Sequence, residues 1–265
     1  MKQRIITALV ALIFFIPVLL LGGYWIDVMA CLLACCAISE IFIMKKQILI
    51  SINFLISLLA TLTLTLPDKF FNFLPVFLGK IQLFCILNML LLTITVLSKN
   101  KTSFDDVGTY VLGSIYVGAG FHYLAAIRNI NDGYGLAILG FALVVVWASD
   151  IGAYVFGRKY GKRKLWPVIS PNKTWEGSIG GIICAIVCTT IYVLIVPTGR
   201  NQLLLIGLSI VLSVVGQIGD LVESAIKRFY GVKDSGKILP GHGGILDRFD
   251  SLLFVLPVVA YIGIM

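Results

Sequence analysis

Residues 134–164 read YGLAILGFALVVVWASDIGAYVFGRKYGKRK. The first twenty or so positions are apolar or small, and a helix of that length, rising about 1.5 Å per residue, covers a hydrocarbon core of about 30 Å. The alternation expected of a membrane β-strand is absent, so the stretch reads as a spanning helix. Two departures from apolarity carry information. Asp150 falls near the end of the run, and five basic residues crowd into 158–164 directly after it. A basic cluster at the end of a span marks the cytosolic side.

The pattern recurs along the whole chain. Of 265 residues 59% are hydrophobic and 13% charged, and mean hydropathy is +1.00, values that place the chain among integral membrane proteins. Nine spans are expected, at 5–22, 24–42, 47–66, 81–98, 106–126, 134–153, 176–197, 202–221 (continuing as helix to about 229) and 249–265. Pro67, Pro75 and Gly79 interrupt residues 67–80, which read as an interfacial or re-entrant piece. Lys2 and Arg4 precede a run too long for a signal peptide, with no small-residue cleavage site, so the first helix is expected to be retained. With the N-terminus in the cytosol, 17 of the 21 lysines and arginines fall in cytosolic segments, which leaves Lys69, Lys80, Arg128 and Arg200 outside.

Topology and attraction to anionic head groups therefore account for the net charge of +8, and nucleic-acid binding is not expected. The six cysteines fall within spans without metal-ligand spacing and read as small apolar packers. Residues 1–133 form a region of plain spans. Within it Glu40 reads either as a buried functional acid or as a helix-end carboxylate, and His122 as a hydrogen-bonded helix contact. Residues 134–265 form the chemically distinctive region, with polar loops at 154–175 and 228–248. Gly177, Gly180 and Gly181 have the spacing of close helix packing.

Four carboxylates of this second region are expected at the cytosolic edge of the bilayer: Asp150, Asp220, Asp247 and Asp250. An acid at that depth is costly and marks a functional site, although each could instead pair with a lysine or arginine to close a helix end. In VVGQIGDLVESAIKRFYG, residues 214–231, Asp220, Glu223, Ser224 and Lys227 share one helical face. Acids beside bases suit a divalent cation bridging to phosphates, because magnesium takes one or two carboxylates and completes its shell with water and phosphate oxygens. Lysine and arginine neutralise the remaining charge. Gly243 and Gly244 in PGHGG would let backbone N–H groups approach an anion, although a flexible turn reads the same way. In SPNKTWEG, residues 170–177, Ser170 is expected to cap a helix opening at Pro171. Asn172 and Lys173 then stand at an anion-favouring N-terminus, although Glu176 could instead be only a local charge partner for Lys173.

Residues 224–250 carry a resemblance. Ser224, Lys227, Arg228, Lys233, Asp234, Gly236, Leu239, Pro240, His242, Gly243, Gly244, Asp247, Arg248 and Asp250 match the signature of the phosphatidate cytidylyltransferases, the CDP-diacylglycerol synthases. The segments WASDIGAY and SPNKTWEG resemble that family too. The resemblance implies an all-α polytopic membrane enzyme that transfers CMP from CTP to phosphatidic acid, giving CDP-diacylglycerol and pyrophosphate. It implies an active site at the cytosolic membrane face, the plasma membrane being that membrane in a bacterium, and a homodimer. Asp220 and Asp247 become metal ligands for magnesium, with potassium as a second cation. Asp150, Asp234 and Asp250 take ligand or supporting roles. Lys227, Arg228, Lys233 and Arg248 go to phosphates, Asn172 and Lys173 to the nucleotide. His242 either bonds a phosphate oxygen or orients its loop. An ion-coupled transporter is the rival of a different class, and a polyprenol kinase the rival enzyme. Carriers place their acids near the bilayer midplane, whereas here the acids sit at its edge beside a basic loop.

Overall fold

The computed structural model describes residues 2–73, 75, 78–130 and 133–263. Leu74, Val76 and Phe77 of the expected interfacial piece, and Ile264 and Met265 of the last span, lie outside the described residues. Among the described residues nine α-helices occupy the nine expected places: α1 Lys2–Leu21, α2 Gly23–Met44, α3 Ile52–Thr65, α4 Lys80–Leu97, α5 Phe104–Arg128, α6 Gly135–Tyr160, α7 Trp175–Ile195, α8 Gln202–Phe229 and α9 Leu246–Tyr261. A short antiparallel hairpin, β1 Lys164–Trp166 and β2 Ser170–Thr174, joins α6 to α7. Among the described residues six helices, α2 and α4 to α8, are long and apolar enough to cross a membrane. The protein is a multi-pass helical membrane protein. Its outward apolar side chains, among them Val96, Leu97, Ile195 and Leu203, face the surroundings as lipid-contacting groups should.

Packing divides the chain into two units, Met1–Ala126 with Asp234–Asp247, and Ile127–Lys233 with Arg248–Met265. The glycine-rich part of the 228–248 loop thus packs with the N-terminal helices.

In the first unit Phe42 of α2 stacks on Tyr110 of α5 with ring centres 4.4 Å apart, and Phe54 of α3 meets it edge-on. Helix α3 hides its hydroxyls by returning each to the carbonyl one turn earlier: Ser57 to Asn53, Thr61 to Ser57 and Thr65 to Thr61, at 2.7–2.9 Å. A side chain at Gly118 would come within 3.0 Å of the Thr61 carbonyl, so α5 and α3 touch backbone to backbone. A 3-10 turn over Asp68–Phe71 follows α3. Lys69 ties it to the buried Asp27 at 2.6 Å, while Lys80 donates to the Leu66 carbonyl at 2.7 Å. His122 Nδ1 lies 3.2 Å from the Thr65 carbonyl, the helix contact expected of it.

The second unit is organised by small residues. Gly177 and Gly181 on α7 lie against the carbonyls of Ala153 and Ser149 on α6, each 2.8 Å from where a Cβ would stand. Positions 149, 153 and 157 on one helix and 177 and 181 on the other repeat every four residues, so the two backbones approach along a continuous small-residue seam. On α8, Gly219 packs against the Asp250 carbonyl in the same way. These close approaches fix the helix ends that carry Asp150, Asp220 and Asp250.

Candidate active site

The SPNKTWEG segment folds differently from the sequence expectation. Ser170–Thr174 is a strand, and helix α7 begins at Trp175, capped by Thr174, whose Oγ1 accepts from Gly177 N–H at 3.1 Å. Pro171 has no N–H to give a ladder, and a two-stranded hairpin tolerates it where a helix start also would. Asn172 and Lys173 therefore precede the cap and stand on β2. Glu176 accepts the backbone N–H groups of Lys162 and Arg163 at 3.0–3.3 Å, which closes the hairpin base, and Lys173 has a different partner.

That partner is Asp220. Lys173 Nζ lies 2.6 Å from Asp220 Oδ2, both side chains half-buried, while Ser224 Oγ donates to Asp220 Oδ1 at 3.3 Å. Asp150 on α6 and Asp250 on α9 lie close enough to Asp220 for their charges to interact with it, and Lys173 acts on Asp150 as well. Three carboxylates from three helices thus lie within electrostatic reach of one another, Lys173 acting on Asp220 and Asp150 and Lys227 on Asp250. The Lys173–Asp220 pair sits in the wall of a cavity of about 500 Å3, also lined by Asp150, Arg158, Asn172 and Ser178. Gln217, one turn before Asp220 on α8, lines it too. The Gln217 amide oxygen accepts from Ser178 Oγ, and its nitrogen stands 3.3–3.4 Å from Ser149 Oγ and Ser213 Oγ. A cavity lined by both charged and hydrogen-bonding side chains suits a polyanion carrying a hydrogen-bonding group.

The rest of the expected α8 face divides. Glu223 is buried and pairs with Lys227, whose charge also reaches Asp250. Arg228 donates through Nε to the Ile169 carbonyl at 3.3 Å and through Nη1 to the Val232 carbonyl at 3.0 Å, which fastens the hairpin to the end of α8. Gly231, at φ 68°, takes the left-handed conformation that ends the helix. Lys233, Asp234 and Arg248 are exposed.

In the first unit the glycine-rich segment is a closed turn. Leu239 N–H bonds the Gly243 carbonyl at 3.0 Å and His242 N–H the Leu239 carbonyl at 2.8 Å. Asp247 Oδ2 accepts the N–H groups of Ser235 and Gly244, each at 2.8 Å, and lies 2.9 Å from Ser235 Oγ. Gly243, at φ 84°, lies so near the Asp247 carboxylate that a Cβ would collide with it. Among the described residues no group of three or more His, Cys, Asp or Glu side chains forms a ready-made metal cage.

Sequence reasoning did not single out Arg158, Gln217 or Ser178. Arg158 was absorbed into the topological charge. Gln217 had a usable signal, since it lies three residues before Asp220 and so on the same face.

The sequence matches the model of the cytidylyltransferase family over residues 2–265. It is 47% identical over 262 residues to the phosphatidate cytidylyltransferase of Bacillus subtilis (strain 168), covering 99% of this chain and 97% of the relative. It is 48% identical over 261 residues to that of Staphylococcus haemolyticus (strain JCSC1435), covering 98% and 97%. The Staphylococcus aureus (strain COL) protein of the same name is 44% identical over 259 residues, with the same coverage.

Proposed function

The chain belongs to the cytidylyltransferase family, and from that premise we propose how its residues serve transfer of CMP from CTP to phosphatidic acid, with release of pyrophosphate. The observation that carries the reading is the Lys173–Asp220 pair in the wall of the cavity, with Asp150 and Asp250 within electrostatic reach. A phosphomonoester has a second pKa of about 6, so its oxygen is already anionic near neutral pH and attacks the α-phosphorus in line without a dedicated base. What the protein must supply is alignment and charge neutralisation.

Lys173, Asn172 and Arg158 line the cavity and are assigned to the nucleotide and its phosphates. Gln217 and Ser178, which also line it, are assigned to the hydrogen-bonding base. Lys233 and Arg248, both exposed, are assigned to phosphates, with Lys227 and Arg228 at the end of α8 beside them in sequence. Carboxylate oxygens are hard donors that fit magnesium, and the family resemblance assigns Asp220 and Asp247 as the ligands that would hold it, with Asp150 and Asp250 in support. Bound magnesium supplies charge neutralisation to the triphosphate, and potassium is the second cation that the family resemblance implies. Lys173 pairs with Asp220 and is assigned to exchange that carboxylate for a phosphate oxygen when the nucleotide binds. All nine helices cross the bilayer, with the N-terminus and the polar segments 154–175 and 228–248 in the cytosol. The basic-residue distribution supports that orientation.

The test is reconstitution. Protein in vesicles containing phosphatidic acid, given CTP and magnesium, should form CDP-diacylglycerol and pyrophosphate in equal amounts. Ion flux across the vesicle without CTP turnover would establish the carrier reading instead.

A further inference from the structure

Glu40 belongs to none of the groups assigned above. It lies in α2, is fully buried, and directs its carboxylate at the segment between Ser235 and Asp247, about 200 positions further along the chain. Glu40 Oε1 accepts Ile245 N–H at 2.7 Å, and Oε2 accepts Leu246 N–H at 2.9 Å and Ser235 Oγ at 2.8 Å. Burying a carboxylate costs several kcal/mol, so a site built around one needs matched donors, and the loop provides two backbone N–H groups with the Ser235 hydroxyl beside them. The loop is also shaped for it. A Cβ on Gly236 would stand 2.8 Å from Glu40 Oε1, and one on Gly244 would run into both Glu40 and Ser235 Oγ. Two glycines of the signature are thus required by the carboxylate that lies against them.

Ser235 Oγ stands between two acids, 2.8 Å from Glu40 Oε2 and 2.9 Å from Asp247 Oδ2. A hydroxyl has one proton and donates to one carboxylate at a time, so the backbone donors set the arrangement. Ile245 and Leu246 give their N–H groups to Glu40, whereas Ser235 and Gly244 give theirs to Asp247. The two ends of the loop are drawn together on Glu40, and their meeting fixes where Asp247 Oδ2 lies.

We propose that Glu40 is a positioning residue for the transfer reaction, clasping both ends of the 235–246 loop and thereby setting the Asp247 carboxylate. The catalytic half rests on the assignment of Asp247 to magnesium. Misplacement of a reacting group by about 1 Å costs on the order of 100-fold in rate, which is the scale of effect expected of a loosened clasp.

The test uses Glu40→Gln, nearly isosteric, which puts an NH2 where one of two oxygens accepts a backbone N–H. In the full-length protein in detergent, the amides of Gly244, Ile245 and Leu246 should exchange with deuterium at least tenfold faster, with α2 and α6 to α8 unchanged. The magnesium concentration for half-maximal activity should rise severalfold and kcat fall about 10–100-fold. Ser235→Ala, which keeps every backbone donor, should shift both readouts the same way by a smaller factor and serves if Glu40→Gln does not fold. Unchanged exchange overturns the clasp. Accelerated exchange with unaltered kcat and magnesium dependence overturns the positioning role and leaves a structural one. Magnesium-independent activity of the unsubstituted protein overturns the assignment of Asp247 and the catalytic half with it.

Discussion

Replacing Lys173 with methionine removes the ammonium 2.6 Å from Asp220 while keeping most of the stem. Two effects follow, and their sizes separate them. The side chains are 27% and 31% exposed, so the pair lies between a surface ion pair, worth up to about 1 kcal/mol, and a buried one, whose rupture costs about 3–5 kcal/mol. A loss of about 1–2 kcal/mol in stability leaves the helical bundle folded. In catalysis the lysine contributes a charged hydrogen bond to phosphate, about 1.5–3 kcal/mol, which corresponds to roughly 10–150-fold in kcat/KM for CTP. Lys173→Arg keeps the charge with a different geometry and should recover part of that loss. Steady-state assays in mixed micelles, with CTP and phosphatidic acid varied separately, should show the deficit in kcat/KM for CTP. A folded Lys173→Met protein whose kcat/KM for CTP stays within about threefold of the parent would refute the assignment, since an ordinary surface pair would behave that way.

Asp220→Asn and Asp247→Asn should each lower turnover by at least about 10²–10³-fold with membrane insertion intact; misfolding of both, read by size-exclusion profile, would mark them as helix-end pairs instead. Gly181→Leu should destabilise the protein by about 1–3 kcal/mol in thermal unfolding, because its Cβ would stand 2.8 Å from the Ser149 carbonyl and force α6 and α7 apart. An unchanged midpoint would show that the seam yields freely. In a cysteine-free background, Lys164→Cys and Lys237→Cys should react with an impermeant maleimide only from the cytosolic side and Arg200→Cys only from the other. Labelling of position 164 from outside would reverse the orientation.

Helix positions were legible because each span is a long apolar run closed by basic or glycine-containing breaks, and the Ser149 to Gly157 and Gly177 to Gly181 seam follows from four-residue spacing. Asp150 and Asp220 stood out for the same reason: an acid inside an apolar run is costly and so informative. The SPNKT strand was misread because Ser-Pro fits a capped helix start and an edge strand equally well, and the decision lies in which backbone groups Glu176 and Thr174 hold. Glu40 gave no directional signal, since nothing local indicates that its partners are Ser235, Ile245 and Leu246. The glycines at 236 and 244 suggested flexibility or anion approach, whereas part of their reason is the Glu40 carboxylate against them. Periodicity exposes what a residue shares with its own helix, and contacts across two hundred positions leave no such trace.

The most direct test of the account follows the phosphorus atoms of CTP. With phosphatidic acid, magnesium and CTP labelled at the α-phosphate, the label should enter the lipid fraction; with CTP labelled at the γ-phosphate, it should leave as pyrophosphate. γ-label in the lipid would instead identify a kinase, and no lipid label from either position in folded protein would contradict the transferase reading altogether.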